Sequence, residues 1–244
     1  MRTSLWFVGA AVASAVVGVA VFRSDPMNRA TIDALRVDPA ALDASLKEIF
    51  AKTHISFGVE VVDSVAAQPR ISPAVRTAAI LDLSGLSARQ AFSRLLVAAP
   101  AYDSSRADGM IIVRPRNRRT DADAWLDRRH ETFEVTNVPL RDALHAVHRL
   151  FDPGYNPPPL PPRALESLNG RDDLKAAVTK PINVSLRRVA TWQILDAIAL
   201  AHGNLSWIVK YRGVRPVSEN SVIEMYSSDK WWVMATARPR RGRL

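Results

Sequence analysis

The stretch "FEVTNVPLRDALHAVHRL" (133–150) reads as a short strand, a turn carrying Pro139, and then an amphipathic helix striped by Leu140, Leu144 and Val147. Two histidines on that helix, His145 and His148, stand three apart and could face one ion. An earlier stretch, "LRVDPAALDASLKEIF" (35–50), runs in the same order, with Val37 under Val135, Leu42 under Leu140 and Leu46 under Leu144. It has no histidine at the matching places. The shared residues are those that bury a helix, so the segment is the first part of a repeated scaffold and the histidines are passengers on it. On the wheel set by the apolar stripe, His148 falls near the buried edge and His145 nearer the solvent flank. Only Asp142 stands close enough in the same helix to complete a ligand set, and no metal or other cofactor is expected.

A second block repeats in the same order. "INVSLRRVATWQILDAIALA" (182–201) lies over "AILDLSGLSARQAFSRLLVA" (79–98), placing Leu186 on Leu83, Val189 on Leu86, Gln193 on Gln90, Leu195 on Phe92 and Ile198 on Leu95. In the first half, "ISFGVEVV" (55–62) is a β-branched strand, and Ile80, Leu81 and Leu83 supply the apolar side of another. Ser87 is an N-cap for a helix whose buried stripe is Ala91, Phe92, Leu95 and Leu96. Residues 101–115 form a hairpin turning at Asp108-Gly109 and returning through Met110–Val113. In the second half, 205–212 and 221–227 form the corresponding hairpin, and "KWWVMATA" (230–237) adds a last strand.

The expected fold is therefore α+β, with two small tandem domains, each of two helices packed on short mixed β-sheets, after an N-terminal hydrophobic leader helix. The divisions are a leader (1–26), a first domain (32–115), a charged linker (116–131) that contains one apolar pair, Trp125-Leu126, and reads as a short helical linker, a second domain (132–237) and a basic tail (238–244). The second domain carries an insertion (151–181) whose "PPPLPP" cannot pair in a sheet and reads as a stiff surface loop.

The 244 residues are 48% hydrophobic and 23% charged, enough apolar material for a buried core and too much for a disordered chain. A net charge of +9 invites a nucleic-acid reading, but the excess gathers in "RPRNRR" (114–119) and "RPRRGRL" (238–244), with no aromatics interleaved to stack bases. Nucleic acid is not expected as a partner. The absence of cysteine removes disulfides, thiol catalysis, cysteine-based zinc sites and a lipoprotein anchor. Arg2 followed by the uncharged run Leu5–Phe22 directs export, either as a cleaved signal peptide or as an inner-membrane anchor at 5–22. The expected compartment is the periplasm.

The order of elements resembles a known family. "VPLRDAL" opening a helix, "LDLSGLSARQAFSRLL" followed by "GMIIVRP", and "ILDAIA" before a hairpin are similar to the secretin and TonB short N-terminal domain. The resemblance covers roughly 34–115 and 132–228; Gly85 and Ser87 match the family pattern in the first copy, where the second has Arg188 and Ala190. It implies small two-layer domains that dock with themselves or with envelope proteins, at the periplasmic face of secretins and of TonB-dependent transducers. It makes the expected partners components of those systems, or further copies of this chain, with the membrane contacted through the N-terminal segment.

No chemistry-bearing pattern competes with that implication. Asp121, Asp123 and Asp127 lie in the linker, away from core strand ends where paired carboxylates work. No G-x-S-x-G elbow or Gly-rich phosphate loop exists among ten glycines. The expectation is a non-catalytic interaction or assembly module, with no catalytic, cofactor-binding or metal residues. Trp231, Trp232 and Tyr226 are the candidate docking residues, because adjacent residues of a strand face opposite sides and one tryptophan must turn away from its own layer. The alternative is a cell-envelope enzyme or polysaccharide-binding protein using the basic surface and exposed aromatics.

Overall fold

The pairing of "FGV" (57–59) with "WIV" (207–209) decides the architecture. A computed structural model describes residues 26–29, 31–62, 80–107, 109–116, 125–155, 176, 179–203, 205–211, 221–227 and 232–236. The leader, the Pro-rich core of the insertion, Trp231 and the basic tail lie outside them. In chain order the elements are α1 (Pro26–Arg29), β1 (Arg36–Val37), α2 (Leu42–Thr53), β2 (Phe57–Val62), β3 (Leu81–Asp82), α3 (Ala88–Ala98), β4 (Tyr102–Ala107) and β5 (Met110–Pro115). A 3-10 turn (Trp125–Asp127) leads to β6 (Arg129–Pro139), α4 (Leu140–Arg149), β7 (Pro181–Ala190), α5 (Thr191–His202), β8 (Ser206–Tyr211), β9 (Ser221–Tyr226) and β10 (Trp232–Thr236). The fold is mixed α+β. No helix among the described residues is long and apolar enough to cross a membrane.

The local signals act as their chemistry requires. Leu42, Leu46, Ile49 and Phe50 are all buried on α2. Ser87 Oγ accepts from the Gln90 N–H while Gln90 Oε1 accepts from the Ser87 N–H, closing a capping box at α3. At α5 the equivalent Gln193 makes the same return bond to the Ala190 N–H, at 2.8 Å, although Ala190 has no hydroxyl to offer. Gly109 turns the β4–β5 hairpin with φ +86°. Ile80 is a correction: it is 66% exposed, because the period of two that aligns Leu81 with the buried Leu83 turns Ile80 the other way.

The two halves share a register. Val37 pairs with Leu81 in the β1–β3 ribbon, and Val135 pairs with Val184 in the longer β6–β7 ribbon; Val184 is the residue aligned with Leu81. Gly85 has φ +74°, and the aligned Arg188 keeps φ +52° despite its side chain. The two aligned positions thus share a backbone bend although one is glycine and the other arginine.

The main sheet does not stop between the halves. Its six strands run β10-β9-β8-β2-β5-β4, with β2 parallel to both β5 and β8 and the other pairs antiparallel. Parallel strands at a sheet's centre need cover on both faces, which explains the unbroken apolar runs of β5 and β8. Phe57, Val59, Ile111, Val113 and Ile208 face a core shared with α2 and α3. Met110, Ile112, Trp207, Val209, Ile223 and Met225 face the opposite core, shared with α4 and α5. Each half therefore lends strands to the cover of the other's helices.

Two features weld the seam. Trp207, fully buried, lies across Gly58 on the neighbouring strand, so close that a Cβ at position 58 would sit 2.2 Å from the indole ring. Its Nε1 donates to buried Asp196 of α5 at 2.6 Å. On the other face, Lys210 of β8 reaches Asp43 of α2 at 2.8 Å and Glu224 of β9 at 3.6 Å, while Lys47 of α2 reaches Glu224 at 3.4 Å. Burial opposes ionisation of Asp43, yet the Lys210 bond and charge, the Ala44 N–H and Lys47 together hold its carboxyl below the ordinary range.

A methyl group at position 58 is expected to cost about 1–3 kcal/mol by forcing Trp207 out of its slot. Gly85→Ala, where no atom lies within 4 Å of the new Cβ, is expected to cost only about 1 kcal/mol through its left-handed φ. Denaturant midpoints of Gly58→Ala and Gly85→Ala separate the two causes; equal losses would remove the packing role assigned to Gly58.

Candidate functional site

The strand β4, "YDSSRA", closes one side of the six-stranded sheet, and no described strand lies beyond it. The Arg116 N–H donates to the Ala101 carbonyl at 2.8 Å, which sets the phase of the ladder. Bonded positions recur every second residue in an antiparallel pair, so Asp103, Ser105 and Ala107 turn their backbone groups to β5. Ser104 and Arg106 turn theirs to the open side. The side chains of Tyr102, Ser104 and Arg106 fall on the α3 face, opposite Pro115, Val113 and Ile111; Asp103 and Ser105 fall on the other.

Along that open side runs a groove of about 640 Å³, floored by Phe92, Leu96 and Ile111 and rimmed by Val97, Tyr102 and three arginines. The apolar floor comes from the flank of α3 that its buried stripe leaves beside β4. Arg89 and Arg106 share one end, because the chain reverses at 99–101 and sends β4 back along α3. Arg116 is at the other end, paired with Asp103 at 2.8 Å. The strand itself is short and polar, the composition with which soluble proteins guard a sheet edge against indiscriminate pairing.

A smaller hollow of about 270 Å³ lies on the opposite face, lined by Ser105, Ile112, Arg114, Asp127 and Trp192. Buried Arg114 donates to Asp127 through both terminal nitrogens, at 2.6 and 2.8 Å, and through Nε to Glu60 at 2.8 Å. Burial would lower its pKa, but the two carboxylates outweigh that and hold the guanidinium above its ordinary range. The pair tethers the 3-10 turn to β2 and β5, so Asp127 of the sequence's linker is held by an ion pair, while Asp121 and Asp123 lie outside the described residues.

The aromatic residues singled out in the sequence are only partly visible. Tyr226 sits half-buried against the first-half core, with Lys47 Nζ 4.7 Å from its ring centre; burial, Glu48 and Glu224 raise its phenol pKa. Its ring helps join the halves. The Trp232 backbone pairs with Tyr226 in β10, the opposite outer strand, and Trp231 lies outside the described residues.

His145 is a second correction, being 2% exposed and not on a solvent flank. Tyr155, at the start of the insertion, folds over that flank and places its Oη 3.0 Å from His145 Nδ1. Both His145 and His148 pack their rings on Tyr155. No described cluster of histidine, aspartate or glutamate could hold a metal ion. Sequence reasoning missed the β4 edge, which depends on sheet order; its one local signal was a strand too polar on both faces to be central.

No family model, curated protein or solved structure matches the chain.

Burial first, then Arg141 and His148, pull the His145 pKa from 6.5 down to about 4 against a smaller opposing effect of Asp142. A depressed histidine pKa means that the unfolded chain binds the extra proton first, so stability is complete above pH 6.5 and falls as the pH drops toward 4. His145→Gln is expected to flatten that dependence by about 3 kcal/mol relative to the parent chain, the carboxylates contributing equally to both. Urea unfolding at neutral and acidic pH measures the difference; parallel pH profiles would refute it.

Proposed function

We propose that the protein is a non-catalytic, exported interaction or assembly module, built from two similar halves that resemble secretin and TonB short N-terminal domains. It works in the periplasm, reached through the leader at 1–26, and docks components of secretin or TonB-type envelope systems, or copies of itself. The observation that carries this reading is the outermost strand β4, whose Ser104 backbone groups point away from β5 beside an apolar groove. A partner strand laid there gains main-chain hydrogen bonds from the edge and selectivity from the groove. The two ribbons with their shared register, each beside a helix pair, support the two-module description.

The alternative of an enzyme or polysaccharide-binding protein draws on the hollow beside Trp192 and Asp127. There the carboxylates of Asp127 and Glu60 are both engaged by Arg114, which leaves less acid–base capacity than a hydrolytic pair needs.

Ser104→Pro tests the docking reading. Proline's missing N–H falls on the open side, so the ladder to β5 is kept and unfolding is expected to shift by no more than about 1 kcal/mol. Crosslinking in the native envelope, read by mass spectrometry, is expected to recover an assembly component with the parent chain and to lose it with Ser104→Pro. Recovery of a lone monomer bound to glycan, or partners unchanged by the proline, would overturn the reading.

A further inference from the structure

We infer that the hollow between β4 and the start of α5 is a binding site for one neutral pyranose ring of a glycan chain. This goes beyond the docking reading and does not depend on it. Four elements meet there. Ser105 of β4 stands opposite Ile112 of β5, and Arg114, two residues along β5, shares their face. Asp127 enters from the 3-10 turn and Trp192 from the first turn of α5. The lining is electrically balanced. Its charged residues are Arg114 and Asp127, and they neutralise each other through bonds of 2.6 and 2.8 Å. A ligand cation would meet the guanidinium and a ligand anion the carboxylate, so neither gains. What remains is hydrogen-bonding capacity of both kinds. Arg114 commits three N–H groups to Glu60 and Asp127, which leaves a donor on each terminal nitrogen. Each Asp127 oxygen accepts one of those bonds and keeps a further lone pair, on a side chain 41% exposed. The exposed Ser105 hydroxyl both donates and accepts. Hydroxyl groups answer both kinds without bringing charge, and a sugar ring carries several of them around an apolar face. Trp192 and Ile112 supply the apolar wall that such a face needs. Buried Arg114 is fixed by its three bonds before any ligand arrives, which lowers the ordering cost of binding. The volume of about 270 Å³ lies just under the roughly 300–1,000 Å³ usual for small-molecule pockets, which suits one ring of a longer chain.

The test is calorimetric titration of the full chain with tetrasaccharides of N-acetylglucosamine, glucose, glucosamine and galacturonic acid. At least one of the two neutral sugars is expected to bind with a Kd of about 1 mM, about tenfold more tightly than the cationic or the anionic one. That binding is expected to be insensitive to salt, because no net charge is engaged. Preference for N-acetylglucosamine identifies a cell-wall glycan as the source, and preference for glucose a glucan. Ser105→Tyr fills the hollow from an exposed edge position that accepts aromatic residues. It is expected to abolish sugar binding while leaving the denaturant midpoint unchanged. Trp192→Ala is expected to weaken binding at least about tenfold through loss of the apolar wall. Ser104→Pro, which blocks the open side of β4, is expected to leave sugar binding intact. Failure of both neutral sugars, preference for a charged one, or full binding by Ser105→Tyr overturns this inference. The docking reading is untouched by those results, since envelope crosslinking tests it independently. A protein partner recovered together with glycan agrees with both.

Discussion

The parallel pairing of β2 with β8, closed by Trp207 lying over Gly58, is the contact on which the rest of the molecule depends. It joins β10-β9-β8 to β2-β5-β4 and so makes one sheet from strands of both halves. Because adjacent strand positions face opposite sides, that one join gives the sheet two buried faces and assigns each helix pair to its own. Without it, each half would leave an apolar strand edge and an uncovered sheet face exposed to water. Burying a tryptophan side chain and its strand neighbours is worth several kcal/mol, comparable to the whole net stability of a domain of this size.

The join also determines where the molecule is open. Once β2 and β8 are central, the outer positions fall to β4 and β10. β4 is polar, the composition that keeps a sheet edge soluble. The half-buried ion pairs have a different task. Lys210, Asp43, Lys47 and Glu224 span the seam, and Arg114 ties the 3-10 turn to the sheet, so these charges position elements.

The two aligned stretches show how one local pattern can accept different surroundings. Gln90 and Gln193 make the same return bond at their helix starts, and Gly85 and Arg188 share a left-handed bend. The halves differ where the first supplies β2 before its second helix and the second supplies the insertion instead. The strand flanking β9 comes from β10, later in the chain and antiparallel, where β5 has β2, earlier and parallel.

By itself the sequence determined the local elements. Helical stripes such as Leu42, Leu46, Ile49 and Phe50, the Ser87–Gln90 cap, the Gly109 turn and the repeat register all follow from periodicity and short-range hydrogen bonding. Those interactions act between residues a few positions apart, so spacing carries them. The tertiary structure decided which strands became neighbours, and with that the β4 edge, its groove, the Arg114 tether and the burial of His145 beneath Tyr155. Apolar runs such as those of β5 and β8 announce burial on both faces but do not name the partner strand. That choice is made by shape, in the absence of a side chain at Gly58 that lets the Trp207 ring lie flat across the seam.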